Sequence, residues 1–97
     1  MAAFVYLLHA ERPYYHAQHY VGFCKRKSGK LEDRIDEHRR GQGSPLVRAW
    51  VAVGIGFVVA RVWRGKQATR RFERALKKGK NTRRLHCPIC REAGRAA

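Results

Sequence analysis

Between His38 and Arg91 the chain carries a single carboxylate, Glu73, whose neighbours are Arg70, Arg71, Arg74, Lys77 and Lys78. An acid kept inside a cationic run has two readings. It can pair with Lys77 one helical turn on, a contact contributing about 0.3–0.5 kcal/mol. It can also hold a divalent cation that acts on phosphate, because Mg²⁺ takes one or two carboxylates and completes its shell with substrate oxygens and water. Other residues suit the same chemistry. Arg34 and His38 in "RIDEH" lie one helical turn apart, and the planar donors of a guanidinium engage two phosphate oxygens at once. Tyr6 in "FVYLL" and Tyr20 in "HYVGF" add two phenols, and Gly22 lets the backbone approach a ligand with no Cβ in the way. Taken singly, each has a plainer explanation: a snorkelling arginine, or sheet tyrosines with their hydroxyls in water.

The elements that must position these groups follow from periodicity. "AFVYLLHA" alternates as a strand, with Phe4, Tyr6 and Leu8 on one face and Val5, Leu7 and His9 on the other. "ERPYYHA" interrupts with a proline and "QHYVGF" resumes, so residues 3–23 read as a hairpin with a long loop and Tyr6 and Tyr20 on a shared face. "LEDRIDEHRRG" places acids early, arginines late and Gly41 at its end, as a helix macrodipole and a glycine cap prefer. At about 100° per residue, His38 projects within about 20° of Leu31, and Arg34 about 60° away. Both therefore border the stripe defined by Leu31 and Ile35. Ser44 and Pro45 open a second helix that stops at Gly54. "IGFVVARVW" is a third strand, and "KQATRRFERALKKG" a third helix with Ala68, Phe72, Ala75 and Leu76 on its apolar side. The order is β-β-α-α-β-α, an α+β (α/β) class domain over residues 1–85 followed by a basic tail, 86–97, with its last residues frayed.

Charge narrows the partners. Among 97 residues, 22 Lys and Arg face 7 Asp and Glu, giving a formal net charge of +15, which favours a polyanion through Coulomb attraction and counterion release. Nucleic acid is the leading partner. A membrane is not expected, since the longest apolar stretch, Ala49 to Ala60, is far short of the ~20 residues a span requires and is broken by Gly54 and Gly56. "MAAFVYLLHA" has no basic segment ahead of its apolar run and does not read as a secretory signal. An odd count of three cysteines argues against a disulfide framework and for a reducing, cytoplasmic location.

Taken together, Tyr6, the "YVG" of Tyr20 to Gly22, Arg34 and His38 in "RIDEH", Glu73 on the last helix and Asn81 after it resemble the GIY-YIG nuclease family. The resemblance covers about residues 3–82 and is closest to short single-domain members. It implies a small three-stranded antiparallel sheet flanked by helices, and a metal-dependent endonuclease that hydrolyses DNA phosphodiesters. It further implies Mg²⁺ or Mn²⁺ held by Glu73, Tyr6 with His38 taking a proton from the attacking water, Tyr20 positioning water or phosphate, and Arg34 stabilising the phosphate. A phenol of pKa about 10 is a poor base, so Arg34 and the metal are expected to lower it. The DNA backbone would be met by Gly22, Lys25, Arg26, Arg70 and Lys77. The alternative is a noncatalytic nucleic-acid-binding module on the same scaffold.

"HCPIC" stands apart. Cys87 and Cys90 supply two of the four ligands that a structural zinc needs, with His86 or Cys24 as candidates for the rest and no second C-x-x-C in the chain. The segment therefore reads first as a tight turn packing Leu85 and Ile89 on the core, or as reduced thiols, and only then as a zinc site.

Overall fold

The computed structural model describes residues 2–15, 17–26, 30–78 and 86–96. Three strands, β1 (Ala2–Tyr14), β2 (Ala17–Arg26) and β3 (Phe57–Arg64), form one antiparallel sheet in the order β2-β1-β3. Helices α1 (Leu31–Arg39) and α2 (Pro45–Ala52) lie between β2 and β3 in the chain. A 3₁₀ turn (Gly65–Gln67), α3 (Arg70–Lys78) and α4 (Pro88–Ala96) follow β3. No described helix is long and apolar enough to cross a membrane.

The alternation in β1 sorts the core into two layers. Phe4, Tyr6, Leu8 and Ala10 pack with Leu31 and Ile35 of α1, and with Val47 and Trp50 of α2. Val5 and Leu7 point the other way, onto Val21, Trp63, Ala68, Leu76 of α3 and Cys87. With helices on both faces, the central strand is apolar at successive positions and not only at alternate ones. The first helix buries Leu31, Ile35 and His38, as its phase predicts. Ser44 caps α2, its hydroxyl accepting the Val47 N–H at 3.3 Å, and Pro45 takes the first helical position; such a cap contributes about 1 kcal/mol.

Three expectations are corrected. The hairpin has no long loop, because β1 runs through Pro13 to Tyr14. Pro13 is tolerated there because β1 pairs with β3 only as far as Ala10, and its ladder with β2 is irregular between His9 and Tyr14, so the missing N–H breaks no regular bond. The third helix starts only at Arg70, because Lys66 and Gln67 belong to the 3₁₀ turn; Thr69 then caps α3, its Oγ1 accepting the Phe72 N–H at 3.1 Å. Finally, the carboxy-terminal tail is helical from Pro88 to Ala96, and Cys87 just before it is fully buried against the sheet. Ile89 is exposed and does not pack on the core. Leu85 lies outside the described residues.

Candidate functional site

Tyr6 pairs across the ladder with Gly22. A Cβ built on Gly22 would overlap the far end of the Tyr6 ring and come within 2.7 Å of its Cε2. The glycine is therefore what lets the phenol lie across β2, toward the outer edge of the sheet. There the ring sits 6.3 Å from Tyr20 and 5.7 Å from His38, while Tyr20 and His38 are 5.5 Å apart. Three rings from β1, β2 and α1 thus share one layer.

Polar contacts lock the centre of this group. Tyr6 Oη lies 2.7 Å from His38 Nε2 and accepts a hydrogen bond from Arg34 Nε at 3.4 Å. Among the described residues the only acceptor beside the hydroxyl's single proton is His38 Nε2, so the hydroxyl donates there, which assigns the imidazole proton to Nδ1. That Nδ1 is buried with no hydrogen-bond partner among the described residues, beneath Gly43, where a Cβ would overlap it. Leaving it unpaired costs about 1–3 kcal/mol, and His38 is held through Tyr6. Arg34 also donates from Nη1 to Glu37 Oε2 at 2.9 Å. Burial works against the guanidinium charge, but Tyr6 and Glu37 more than offset it, so Arg34 stays cationic.

Burial also decides the protonation of the other two groups. It drives the Tyr6 phenol well above its ordinary 10; the Arg34 hydrogen bond pulls the other way and does not prevail, while Tyr20 adds to the rise. Arg34 does pull the phenol in the expected direction, but burial outweighs it. His38 is pushed down to about 4, first by burial and then by the Arg34 charge, so it is a neutral acceptor near pH 7. A histidine with a lowered folded pKa stabilises the fold above its unfolded pKa, and that stability drains as the unfolded chain alone takes up the proton. Because His38 is fully buried, the loss is about 3 kcal/mol between pH 6.5 and about 4. Urea unfolding across this range should show it in the wild type, with a flatter profile in His38→Gln; parallel profiles would contradict it.

Arg34 connects the rings to a cleft. Phe23, Cys24, Lys25, Arg34 and Arg70 line a surface cavity of about 310 Å³. Cys24 belongs to the α1/α2 layer and Phe23 packs on the α3 side, so the cavity straddles the free edge of β2. Arg70 stacks over Phe23, its guanidinium carbon 4.8 Å from the ring centroid. Glu73, three residues further along α3, shares that face of the helix. Its side chain is 15% exposed and pairs loosely with Lys77 at 3.9 Å, while the Lys77 ammonium lies 5.3 Å from the Tyr20 ring centroid. Tyr6, Tyr20, Gly22, Arg34 and His38 are thus in direct contact, Lys25 and Arg70 line the adjoining cleft, and Glu73 joins through Lys77. Arg26 closes β2. Asn81 lies outside the described residues.

A second group assembles on the opposite face of the sheet. His9, His19, Cys87 and Cys90 bring one ligand atom each within 4.8 Å of one another, an arrangement that can hold a metal ion. Cys87 and Cys90 are the residues singled out in "HCPIC", but the companions expected for them are not the ones found. His86 turns away, its Nδ1 3.3 Å from Arg61 Nη1 and its ring against Trp63, and Cys24 is buried in the other layer. His9 and His19 lie far from "HCPIC" in the sequence, and the hairpin is the signal that pairs them: three steps along the ladder from Tyr6–Gly22, they are direct cross-strand partners.

No protein-family model, curated protein or solved structure matches the chain.

Proposed function

We propose that the chain is a metal-dependent endonuclease that hydrolyses DNA phosphodiester bonds at the free edge of β2. The observation that carries this reading is Arg34, which touches the Tyr6 hydroxyl and also lines a cleft with Lys25 and Arg70. A phosphate drawn into that cleft by three cations would take the Arg34 donors, and the guanidinium's outward shift would open Tyr6 Oη to an attacking water. Tyr6 then accepts the water's proton as it passes its own to His38 Nε2, and as the water oxygen bonds to phosphorus the P–O bond to the leaving sugar oxygen breaks, that oxygen taking a proton from solvent. The relay matters because a buried phenolate is costly, whereas a neutral phenol beside a neutral imidazole exchanges one proton for another. Incoming phosphate charge makes His38 a stronger base.

Glu73 suits a hard divalent cation such as Mg²⁺ or Mn²⁺: it is a partly exposed carboxylate, held among the described residues by one loose lysine contact, on the helix face that reaches the cleft. Bound there, the ion would offset the negative charge that develops on the phosphate. Supercoiled plasmid should be nicked in Mg²⁺ or Mn²⁺ and not in a metal chelator, and Glu73→Ala should fall to the metal-free level.

One observation favours a noncatalytic nucleic-acid-binding module instead. Tyr6 has no exposed surface and its hydroxyl is already satisfied by two partners, while Glu73 is balanced by Lys77. A chain that binds DNA with a steep salt dependence, yet leaves supercoiled, linear, flap and single-stranded substrates intact in both metals, would establish that alternative.

A further inference from the structure

We propose that His9, His19, Cys87 and Cys90 bind one Zn²⁺ in a closed tetrahedral site that fastens the amino-terminal turn of α4 to the sheet. The proposal stands apart from the nuclease reading, because the cluster lies on the other face of β1 from Tyr6 and shares no residue with the cleft.

Local structure explains how residues so distant in sequence meet. His9 and His19 are opposite each other on β1 and β2, so their side chains leave the same face, and their rings are 5.0 Å apart. Cys87 and Cys90 flank the Pro88 that opens α4; a three-residue spacing across a helical turn puts both thiols on one side. The cysteines face the histidines, not each other as a disulfide.

The spacings match a metal more closely than a set of hydrogen bonds. With Zn–N of about 2.0–2.1 Å and Zn–S of about 2.3 Å, a regular tetrahedron has edges of about 3.3 Å between nitrogens and about 3.6 Å between nitrogen and sulfur. The corresponding distances are 3.2 Å for His9 Nδ1 to His19 Nε2, 3.4 Å for Cys87 Sγ to His9 Nδ1, 3.7 Å for Cys90 Sγ to His9 Nδ1 and 3.2 Å for Cys90 Sγ to His19 Nε2. The four donor atoms all lie within 4.8 Å of one another, close enough for one ion to reach each of them.

Donor chemistry selects the ion. Imidazole and thiolate favour zinc over the oxygen-seeking Mg²⁺. Binding releases the two thiol protons, and two thiolates neutralise the dication, so the half-buried site adds no net charge to a chain already at +15. Four protein ligands leave no position for substrate, which makes the ion structural. Its mechanical consequence is a tie between the β1–β2 pair and a carboxy-terminal segment that, among the described residues, meets the second core layer through Cys87, Cys90 and the His86 ring on Trp63.

Full-length protein purified without chelator should contain about one zinc per chain, and cobalt-substituted protein should show the visible absorption of a tetrahedral ion with a thiolate charge-transfer band. His19→Ala and Cys90→Ala should each reduce the metal content to below about a fifth of that, whereas the neighbouring His86→Ala leaves it unchanged. His19→Cys guards against a merely misfolded variant: it should keep the zinc and strengthen the charge-transfer band, as a third thiolate requires. Less than about half an equivalent in the wild type, a Cys87–Cys90 disulfide in its place, or full zinc in His19→Ala would overturn the assignment.

Discussion

Arg34→Ala should slow plasmid nicking by about 10²–10³-fold, the loss typical when one donor to a developing oxyanion is removed. Duplex affinity should fall by less than about tenfold, since one phosphate contact among many is lost and the salt slope changes by about one charge. The split follows from where the guanidinium stands. The chain has 22 basic side chains to attract DNA in general, but among the described residues Arg34 is the one that touches both the cleft and the Tyr6 hydroxyl. The same variant tests the electrostatics separately from activity. The Arg34 charge is the second cause of His38's low pKa, so its removal should let His38 titrate higher, as followed by NMR of the imidazole. Arg34→Lys divides the two roles: a lysine retains the charge that holds His38 down but lacks the planar fork for phosphate, so its nicking stays slow while His38 titrates near the wild-type value. A nicking rate within about threefold of wild type in Arg34→Ala would remove the guanidinium from the chemistry.

What the sequence made legible was local. Period 2 in "AFVYLLHA" assigned the two faces of β1 correctly, and period 3.6 in "LEDRIDEH" put His38 inside and Arg34 at the border. Both patterns work because each residue's environment is set by neighbours within one or two turns. The C-terminal helix and the four-residue cluster were not legible, since nothing near "HCPIC" contains the other two ligands. They come from a cross-strand pair about seventy to eighty positions earlier, and only the hairpin register brings them together. The protonation of Tyr6 was hidden for a related reason. Arginine's presence can be read from composition, but the burial that outweighs it depends on α1 closing over the sheet. Glu73 lies between these cases. Its border position was visible in the helical phase, and the structure retains both of its readings, a partly exposed carboxylate near the cleft and an i,i+4 partner of Lys77.

Gly22→Ala should be the most damaging change of a single methyl group anywhere in the sheet. The new Cβ would lie within the space of the Tyr6 ring, and the ring has nowhere to retreat: it is fully buried, hydrogen-bonded at 2.7 Å to His38 and backed by Tyr20. Either β2 shifts outward or the phenol is expelled. Overpacking of this kind costs about 1–3 kcal/mol, which for a domain of this size lowers the midpoint of thermal unfolding by roughly 5–15 °C. Either response also breaks the Tyr6–His38 bond, so nicking should fall by at least about 10²-fold. Tyr6→Leu separates the steric from the chemical effect. Combined with Gly22→Ala, it removes the atoms that collide, so the double variant should be more stable than the sum of the single changes implies, while nicking stays lost because no phenol remains. If Gly22→Ala melts and cuts like the wild type, the ring does not cross β2 at this point, and the route from Tyr6 to the edge cleft is wrong.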